Sequence, residues 1–468
     1  MGIPEEAALW TTTRQAEAIR NREFTSRELL DLYAARIERI NPELNAVVTL
    51  DLDNARVAAD QADQKLAAGE SLGPLHGIPI TIKDALEVSG MRSTGGATEL
   101  RDNVPGRDAP VVRALRDAGA IVFGKTNLPR WSGDIQSFNE IFGTTVNPWN
   151  ADRVPGGSSG GAAAAVSTGL TSFEIGTDIG GSIRVPSAFC GVFGHKPSWG
   201  VVPSSGYLDH EAGGTTEADI NVLGPIARSA EDLELLLGIV QRREGPLVAS
   251  LAPPPVDVKT LRVAAWLDDP FCRVDPKVSA VLNRAVERLE AAGVPVDRDA
   301  RPKIDPMQAA GLGFWLLSAA LTQSMPQEAI DDAGVETGPG GIQHRDWLDR
   351  HADREAIRVE WDHFFERYDA ILMPACFVPP FPHNQEGHFG TRKLQSDGGE
   401  RLYMDLALWT ILTGMAYLPA SVPPLGLDED GLPIGMQVVG PYGGDLTTIR
   451  LAGFIAEQCG GYRKPPIA

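Results

Sequence analysis

The chain is poor in several things that would narrow its class. It has only 4 cysteines in 468 residues, Cys190, Cys272, Cys376 and Cys459, far apart and with no C-x-x-C pair. Neither a disulfide framework nor a cysteine-based zinc site follows from such spacing. Basic residues are in deficit, 42 against 62 acidic, for a formal charge of −20. That balance argues against a nucleic-acid binder, which neutralises phosphates with a basic surface. No stretch approaches the ~18 consecutive apolar residues of a membrane span. The opening MGIPEEAALW is acidic and lacks an apolar run, so no signal peptide is expected, and Glu6 stands where a myristoylation site wants Ser or Thr. The 8 histidines show no H-E-x-x-H or related spacing, so no metal and no other cofactor is expected. No internal repeat occurs at a fixed period. The expectation is a soluble cytoplasmic protein that works without nucleic acid or membrane.

Glycine and proline, in contrast, are abundant, at 50 and 35 residues. Apolar types make up 43% and charged types 22%, an ordinary globular balance with many turns. The first forty or so residues read as helical. Thr25 and Glu28 form a capping-box pattern, followed by Leu29, Leu30, Tyr33, Ile37 and Ile40 at helical spacing, and Asn41-Pro42 is expected to end the run. Gly77 to Asp84 alternates as a strand does, with Ile78, Ile80 and Ile82 on one face and Lys83 at the C-terminal end. A helix capped by Asp108 runs to about Ala118, and a buried strand follows from Ala120 to Phe123. Leu261 to Leu267 reads as a strand, and a helix opens at Asp275-Pro276 and closes near Gly293. This alternation indicates an α/β fold. The PPP run between Leu251 and Asp257 reads as a linker or surface crossover. Pro302 to Trp361 is expected to be helical, with a glycine-rich break at Gly338 to Gly341, and Pro374 to Gly399 to be a long loop.

The most unusual stretch runs from Pro155 to Gly194. It contains Gly156-Gly157-Ser158-Ser159-Gly160-Gly161 and, after an alanine-rich segment, Gly176-Thr177-Asp178-Ile179-Gly180-Gly181-Ser182-Ile183-Arg184. Glycine costs backbone entropy, so such density signals tight turns or close approach of backbone to a ligand. A phosphate-binding loop requires a Lys after its last glycine, and none is present. Gly156, Ser158 and Gly160 match the G-x-S-x-G nucleophile elbow literally. The elbow follows a buried strand, however, and the preceding segment carries Pro148 and Pro155 among polar residues. A third reading is a serine nucleophile served by a neutral lysine. That lysine must lose proton affinity by burial, and Lys83 at the end of an apolar strand is suitably placed. In the bland readings, Ser158 and Ser159 are turn residues and Lys83 a solvated strand end.

Taken together, Lys83 within Ile82-Lys83-Asp84 and the two glycine-serine runs resemble the amidase signature family of serine hydrolases. Gly124-Lys125-Thr126-Asn127, Asn147-Pro148-Trp149, Phe189-Cys190-Gly191, Lys196-Pro197, Pro419-Ala420-Ser421 and Gly431 to Gln437 match in the same order, over roughly residues 10 to 460. The resemblance implies one α/β domain over residues 1–468. Its central sheet would be mixed and mostly parallel, with helices on both faces, a helical segment at about 1–43 and a variable region at about 300–400 that shapes the cleft. It implies a Ser–cis-Ser–Lys triad, with Ser182 as nucleophile, Ser158 as bridge after a cis peptide, and Lys83 as base. The N–H groups of Ile179, Gly180, Gly181 and Ser182 would form the oxyanion hole. Ser159, Thr177, Asp178 and Arg184 would support the site, and His195, just before Lys-Pro, is read as structural.

The family's pocket is built partly by the loop after Asn127, here Leu128 to Phe142. Trp131, Gln136, Trp199 and Tyr207 are the candidate lining residues; each reads equally well as a core or rim side chain. Gly200 to Asn221 departs from the A chain of the tRNA amidotransferases. It looks more like the broad bacterial amidases that cleave aryl amides, cyclic nylon-type amides and urethanes. Leu418 replaces the family's usual glycine before Pro-Ala. The implied activity is hydrolysis of small-molecule amides, of broad specificity that extends to carbamates, by a monomer or homodimer. The alternatives are the glutaminase-type A chain of an amidotransferase complex and an amidase restricted to small amides.

Overall fold

A computed structural model describes residues 2–70, 73–209, 212–243, 251–322, 342–387, 389–396 and 399–468. The Gly338 to Gly341 break and His210 fall outside the described residues. Three helical pieces open the chain, a 3-10 turn Glu5–Leu9 and the helices Thr12–Arg20 and Ser26–Leu44. The capping box forms as expected: the Thr25 side chain accepts from Glu28 N–H, and Glu28 accepts from Thr25 N–H. Asn41-Pro42 does not end this helix. Pro42 lies within its last turn, and Asn45, in the left-handed region at φ 52°, terminates it by donating its N–H to the Asn41 carbonyl at 2.7 Å.

Two sheets organise the rest of the chain. In the smaller, Ile121–Thr126 lies between Val47–Leu50 and Pro79–Lys83. The larger has nine strands among the described residues. It runs in the order Val296–Asp297, Val263–Ala265, Ala370–Pro374, Pro433–Val439, Ala420–Val422, Phe193–Lys196, Val222–Ala227 and Glu174–Asp178, and Pro424–Leu427 also pairs with Pro433–Val439. The sheet is mixed, as expected. Parallel pairing holds Val263–Ala265 to both its neighbours and Pro79–Lys83 to Ile121–Thr126. The remaining neighbours are antiparallel, so the parallel share is smaller than the family resemblance implied. Short connections such as the turn at Asp428 to Gly431 suffice for antiparallel neighbours, which need no crossover helix.

Helices cover both faces. Along the central strands, Ile371, Met373 and Val439 enter a core cluster with Phe189, Leu316, Trp361 and Trp409, whereas Leu372, Met436 and Val438 enter another with Val281, Leu289 and Ile455. Neighbouring residues of one strand thus point to opposite layers, as the pleat requires. A third cluster packs the N-terminal helices against the wholly buried helix Gly160–Ser167 and the strand around Ile80.

Three local expectations shift. The helix expected from Asp108 to about Ala118 is Pro110–Asp117 with Ala109 at its N-cap; Asp108 instead accepts from Ser89 N–H at 2.8 Å. The strands expected at Leu261 to Leu267 and Ala120 to Phe123 are Val263–Ala265 and Ile121–Thr126. The segment expected as one long loop carries a 3-10 turn, Phe389–Thr391, and its last residues start a hairpin, Lys393–Ser396 with Gly399–Leu402.

Candidate active site

Lys83 is the last residue of Pro79–Lys83, a strand buried on both faces. Its side chain is 0% exposed, and three hydroxyls surround the amine: Ser158 Oγ at 2.6 Å, Thr177 Oγ1 at 2.7 Å and Ser159 Oγ at 3.0 Å. Burial lowers its proton affinity to about pKa 7, against the opposing pull of Asp178 and Glu174. An ammonium could donate to all three hydroxyls. A neutral amine donates twice and accepts once. Ser159 is suited to receive one N–H, because its own hydroxyl proton is directed at the Thr177 carbonyl at 3.3 Å. Ser158, the closest partner, is then placed to donate its O–H to the lone pair.

The glycine-serine run on both sides of this hydroxyl leaves no room for side chains at its glycines. A Cβ at Gly157 would lie 2.5 Å from the Gln136 nitrogen, and one at Gly161 2.4 Å from the Asn127 oxygen. The Gly157–Ser158 peptide is cis. Ser137, which sequence reasoning missed, ties the turn together: its hydroxyl lies 3.2 Å from both the Gly156 and Ser158 carbonyls and accepts from Gly160 N–H at 3.0 Å.

The second run leaves the strand Glu174–Asp178 and turns into the helix Arg184–Cys190. Asp178 organises the turn. Its carboxylate accepts from the N–H groups of Gly181 at 2.8 Å and Ile183 at 3.1 Å and pairs with Arg184 at 2.7 Å, both side chains fully buried. Burial raises the carboxyl's affinity for protons, but the Arg184 charge and hydrogen bonds outweigh it and hold Asp178 below the usual carboxylate range. Arg184 in turn donates to the Thr410 carbonyl, Thr413 Oγ1 and Gln437 Oε1 at 2.8, 2.9 and 3.0 Å. Thr410 also donates to the Gly180 carbonyl at 2.6 Å. Ser182 is joined to the other run by a backbone bond, Ser159 N–H to the Ser182 carbonyl at 3.2 Å. Unlike Ser158 and Lys83, it keeps a partly open side, at 9% exposure.

That open side meets a cavity of about 310 Å³. Ile179, Gly180 and Ser182 line it together with Trp131, Ile135, Tyr207, Phe314, Leu317, Leu321, Phe389 and Met404. Of the four candidate lining residues, Trp131 and Tyr207 lie at this cavity. Gln136 and Trp199 are not on this wall. Gln136 is buried and bonds to Tyr403 Oη and both main-chain polar groups of Asn384, while Trp199 stacks on Tyr417 with centroids 4.7 Å apart. Both are structural side chains, consistent with the alternative core or rim reading. Phe314, Leu317 and Leu321 come from Pro306–Thr322, more than a hundred residues from Ser182 in the chain. Their only sequence signal is the apolar character of that helix. Among the described residues no group of three or more potential metal ligands occurs, and no helix is long and apolar enough to cross a membrane.

A buried lysine with three hydroxyls around it, and a main-chain turn that brings Ser182 to an apolar cavity, thus sit on a mixed sheet between helical layers. Residues 28–449 match the family model described as Amidase, and the chain belongs to that family. It is 30% identical to the A chain of a glutamyl-tRNA(Gln) amidotransferase from Moorella thermoacetica, over 97% of this chain and 98% of the relative. It is 32% identical to an indoleacetamide hydrolase of Bradyrhizobium diazoefficiens, over 93% and 84%. Among solved structures, a bacterial aryl acylamidase of the amidase signature family superposes with a TM-score of 0.81 at 25% identity, over 96% of each chain. A 6-aminohexanoate cyclic dimer hydrolase at 24% identity shares the fold with a TM-score of 0.82, over 98% of this chain and 99% of that one.

Proposed function

We propose that this amide-hydrolysing enzyme works through an acyl-enzyme on Ser182, with Ser158 and Lys83 as the proton relay and a substrate range that extends to aryl amides and carbamates. The observation that carries the relay is the sealed Lys83 amine, 2.6 Å from Ser158 Oγ and with a pKa near 7, behind a serine that opens on an apolar cavity. Neutral Lys83 takes the Ser158 proton while Ser158 takes that of Ser182. The Ser182 oxygen forms a bond to the carbonyl carbon, and the C=O electron pair moves onto oxygen. Collapse of the adduct expels the amine, which leaves with the proton returned through Ser158. Water then enters by the same route and releases the acid.

The cradle for the developing oxyanion is formed by main-chain N–H groups of the Ile179 to Ser182 turn. Ile179, Gly180 and Ser182 face the cavity, whereas Gly181 N–H is engaged by Asp178. We assign Gly181 mainly to the bend, since its φ of 128° and a Cβ position 2.8 Å from Thr410 Oγ1 admit no side chain. A carbamate presents the same carbonyl. Cleavage of its C–N bond would leave an alkoxycarbonyl-serine, which water converts to a monoalkyl carbonate that loses CO2 without a cofactor.

Aromatic and aliphatic side chains dominate the cavity wall, which favours aryl and alkyl amides over glutamine. Similarity to the A chains of tRNA amidotransferases makes glutaminase activity with a partner chain the second reading. para-Nitroanilides, an aryl dicarbamate, propionamide and glutamine assayed side by side separate these readings. Turnover of anilide and dicarbamate is expected, with the acyl group trapped on Ser182 by mass spectrometry. Activity confined to propionamide or to glutamine overturns the broad-pocket assignment.

A further inference from the structure

A neighbouring cavity of about 390 Å³ adjoins the first, and Gly133, Asp134 and Phe389 belong to the walls of both. The Asp134 side of this shared wall is firmly held, and its Phe389 side is half-buried. Asp134 pairs with Arg392 at 2.6 Å and accepts from Tyr403 Oη at 2.7 Å, its side chain 6% exposed, while Phe389 stands edge-on to Tyr403 at 5.3 Å. The two chambers differ in degree. The one at Ser182 is mostly hydrocarbon and aromatic, with Asp209 and Asn221 at its wall, whereas the other sets Arg130, Glu140, Thr144, Gln385 and Arg392 beside Pro129 and Phe138. Both arginines already have carboxylate partners, Arg130 with Glu99 and Arg392 with Asp134. Glu140 adds an exposed carboxylate, and Thr144 and Gln385 offer hydroxyl and amide groups, 3.1 Å from each other. The neighbouring chamber therefore holds little uncompensated positive charge with which to attract an anion.

We infer that the substrate is bipartite: an apolar part fills the chamber at Ser182, and an uncharged hydrogen-bonding tail, ending in a hydroxyl or carboxamide, passes Phe389 into the polar chamber. The inference rests on the proposed acyl-enzyme reading and adds a substrate class to it. An alkyl tail of the same length would lie against groups that prefer water, and a carboxylate tail would meet Asp134 and Glu140.

The test is a series of para-nitroanilides with one reactive amide and tails of equal length ending in methyl, carboxamide or carboxylate. One set carries the tail on the acyl side and the other on the anilide ring, beside a truncated parent. In at least one set the carboxamide is expected to have a KM about five- to tenfold below the methyl and carboxylate members, the range of one or two hydrogen bonds. Gln385→Leu is expected to bring the ratio of methyl to carboxamide KM towards one, and Phe389→Ala to lower KM for the longest tails relative to the truncated parent. Equal KM values across the tails in both sets, or a preference for the carboxylate or the methyl, overturn the inference. Failure of the acyl-enzyme reading itself is seen separately, as loss of turnover of the truncated parent or lack of fluorophosphonate labelling at Ser182.

Discussion

Two of the buried serine-centred hydrogen-bond clusters among the described residues differ in whether they reach a space a substrate can enter. In the first, the sealed Lys83 amine lies 2.6 Å from Ser158 Oγ, and Ser182, on the other glycine-rich run, lines the 310 Å³ cavity. The other has residue types more familiar from hydrolases: His195 Nδ1 lies 2.9 Å from Ser421 Oγ and its Nε2 3.1 Å from Asp445 Oδ1. Yet Ser421, His195 and Asp445 are all 0% exposed. Asp445 also accepts from Ser198 N–H and Oγ at 2.8 and 2.7 Å, and Ser421 shares a hydrogen bond with Thr448 at 3.0 Å. Every group in this histidine cluster is occupied with its neighbours. It joins the strands Phe193–Lys196 and Ala420–Val422 to the first turn of the helix Asp445–Cys459. Residue types suited to catalysis therefore do not make a site; one face must stay uncommitted and reachable. The reading of His195 as structural agrees with this geometry.

Substitutions in the two clusters should separate them. Ser182→Ala is expected to lower kcat for a para-nitroanilide by about 10⁴-fold or more with an unchanged circular dichroism spectrum, since the bond-forming oxygen is lost. Near wild-type turnover would remove the nucleophile assignment. Lys83→Met keeps the apolar stem but deletes the base, and a loss of about 10²–10⁴-fold is expected in single-turnover assays.

The pH profile is a finer probe. Below the Lys83 pKa of about 7 the amine is protonated and cannot accept the Ser158 proton. kcat/KM should therefore rise with pH, tenfold per unit on the acid limb, and level off above about 7. A plateau that extends unchanged to pH 5 would mean that Lys83 is not the titrating base. The smallest effect belongs to the histidine cluster. Ser421→Ala should leave kcat close to wild type and cost about 1 kcal/mol of stability in urea denaturation, the scale of one net hydrogen bond. A large fall in kcat without a loss of stability would break the comparison. Asp445 sharpens it further. Burial raises its pKa, but His195 and Ser198 more than offset this and hold it low. Its contribution to stability is thus present above the ordinary carboxylate pKa and is lost as pH falls towards the depressed folded value.

Legibility followed sequence distance. The capping box at Thr25 and Glu28, the strand ending at Lys83 and the helix opening at Asp275-Pro276 are local patterns, and they form as read. Pro42 misled because a helix tolerates a proline near its end when a following residue supplies the cap. The long segment from Pro374 hid the start of a hairpin because its polar, glycine-containing sequence lacks the apolar alternation of a half-buried strand. At the site, Lys83, Ser158 and Ser182 stood out by motif. Ser137 and Thr410, which brace the two runs, carry no local signal, because a serine or threonine far along the chain looks the same whether buried or exposed.

By itself the sequence determined the α/β alternation, the glycine-rich turns and the family, since these depend on residue type and short spacing. Tertiary structure alone decided that three hydroxyls encircle the Lys83 amine, that Trp131 reaches the cavity while Trp199 stacks elsewhere, and that His195 is closed off. Burial and proton affinity arise from what packs around a group, and those neighbours come from segments between 75 and 250 residues away in the chain.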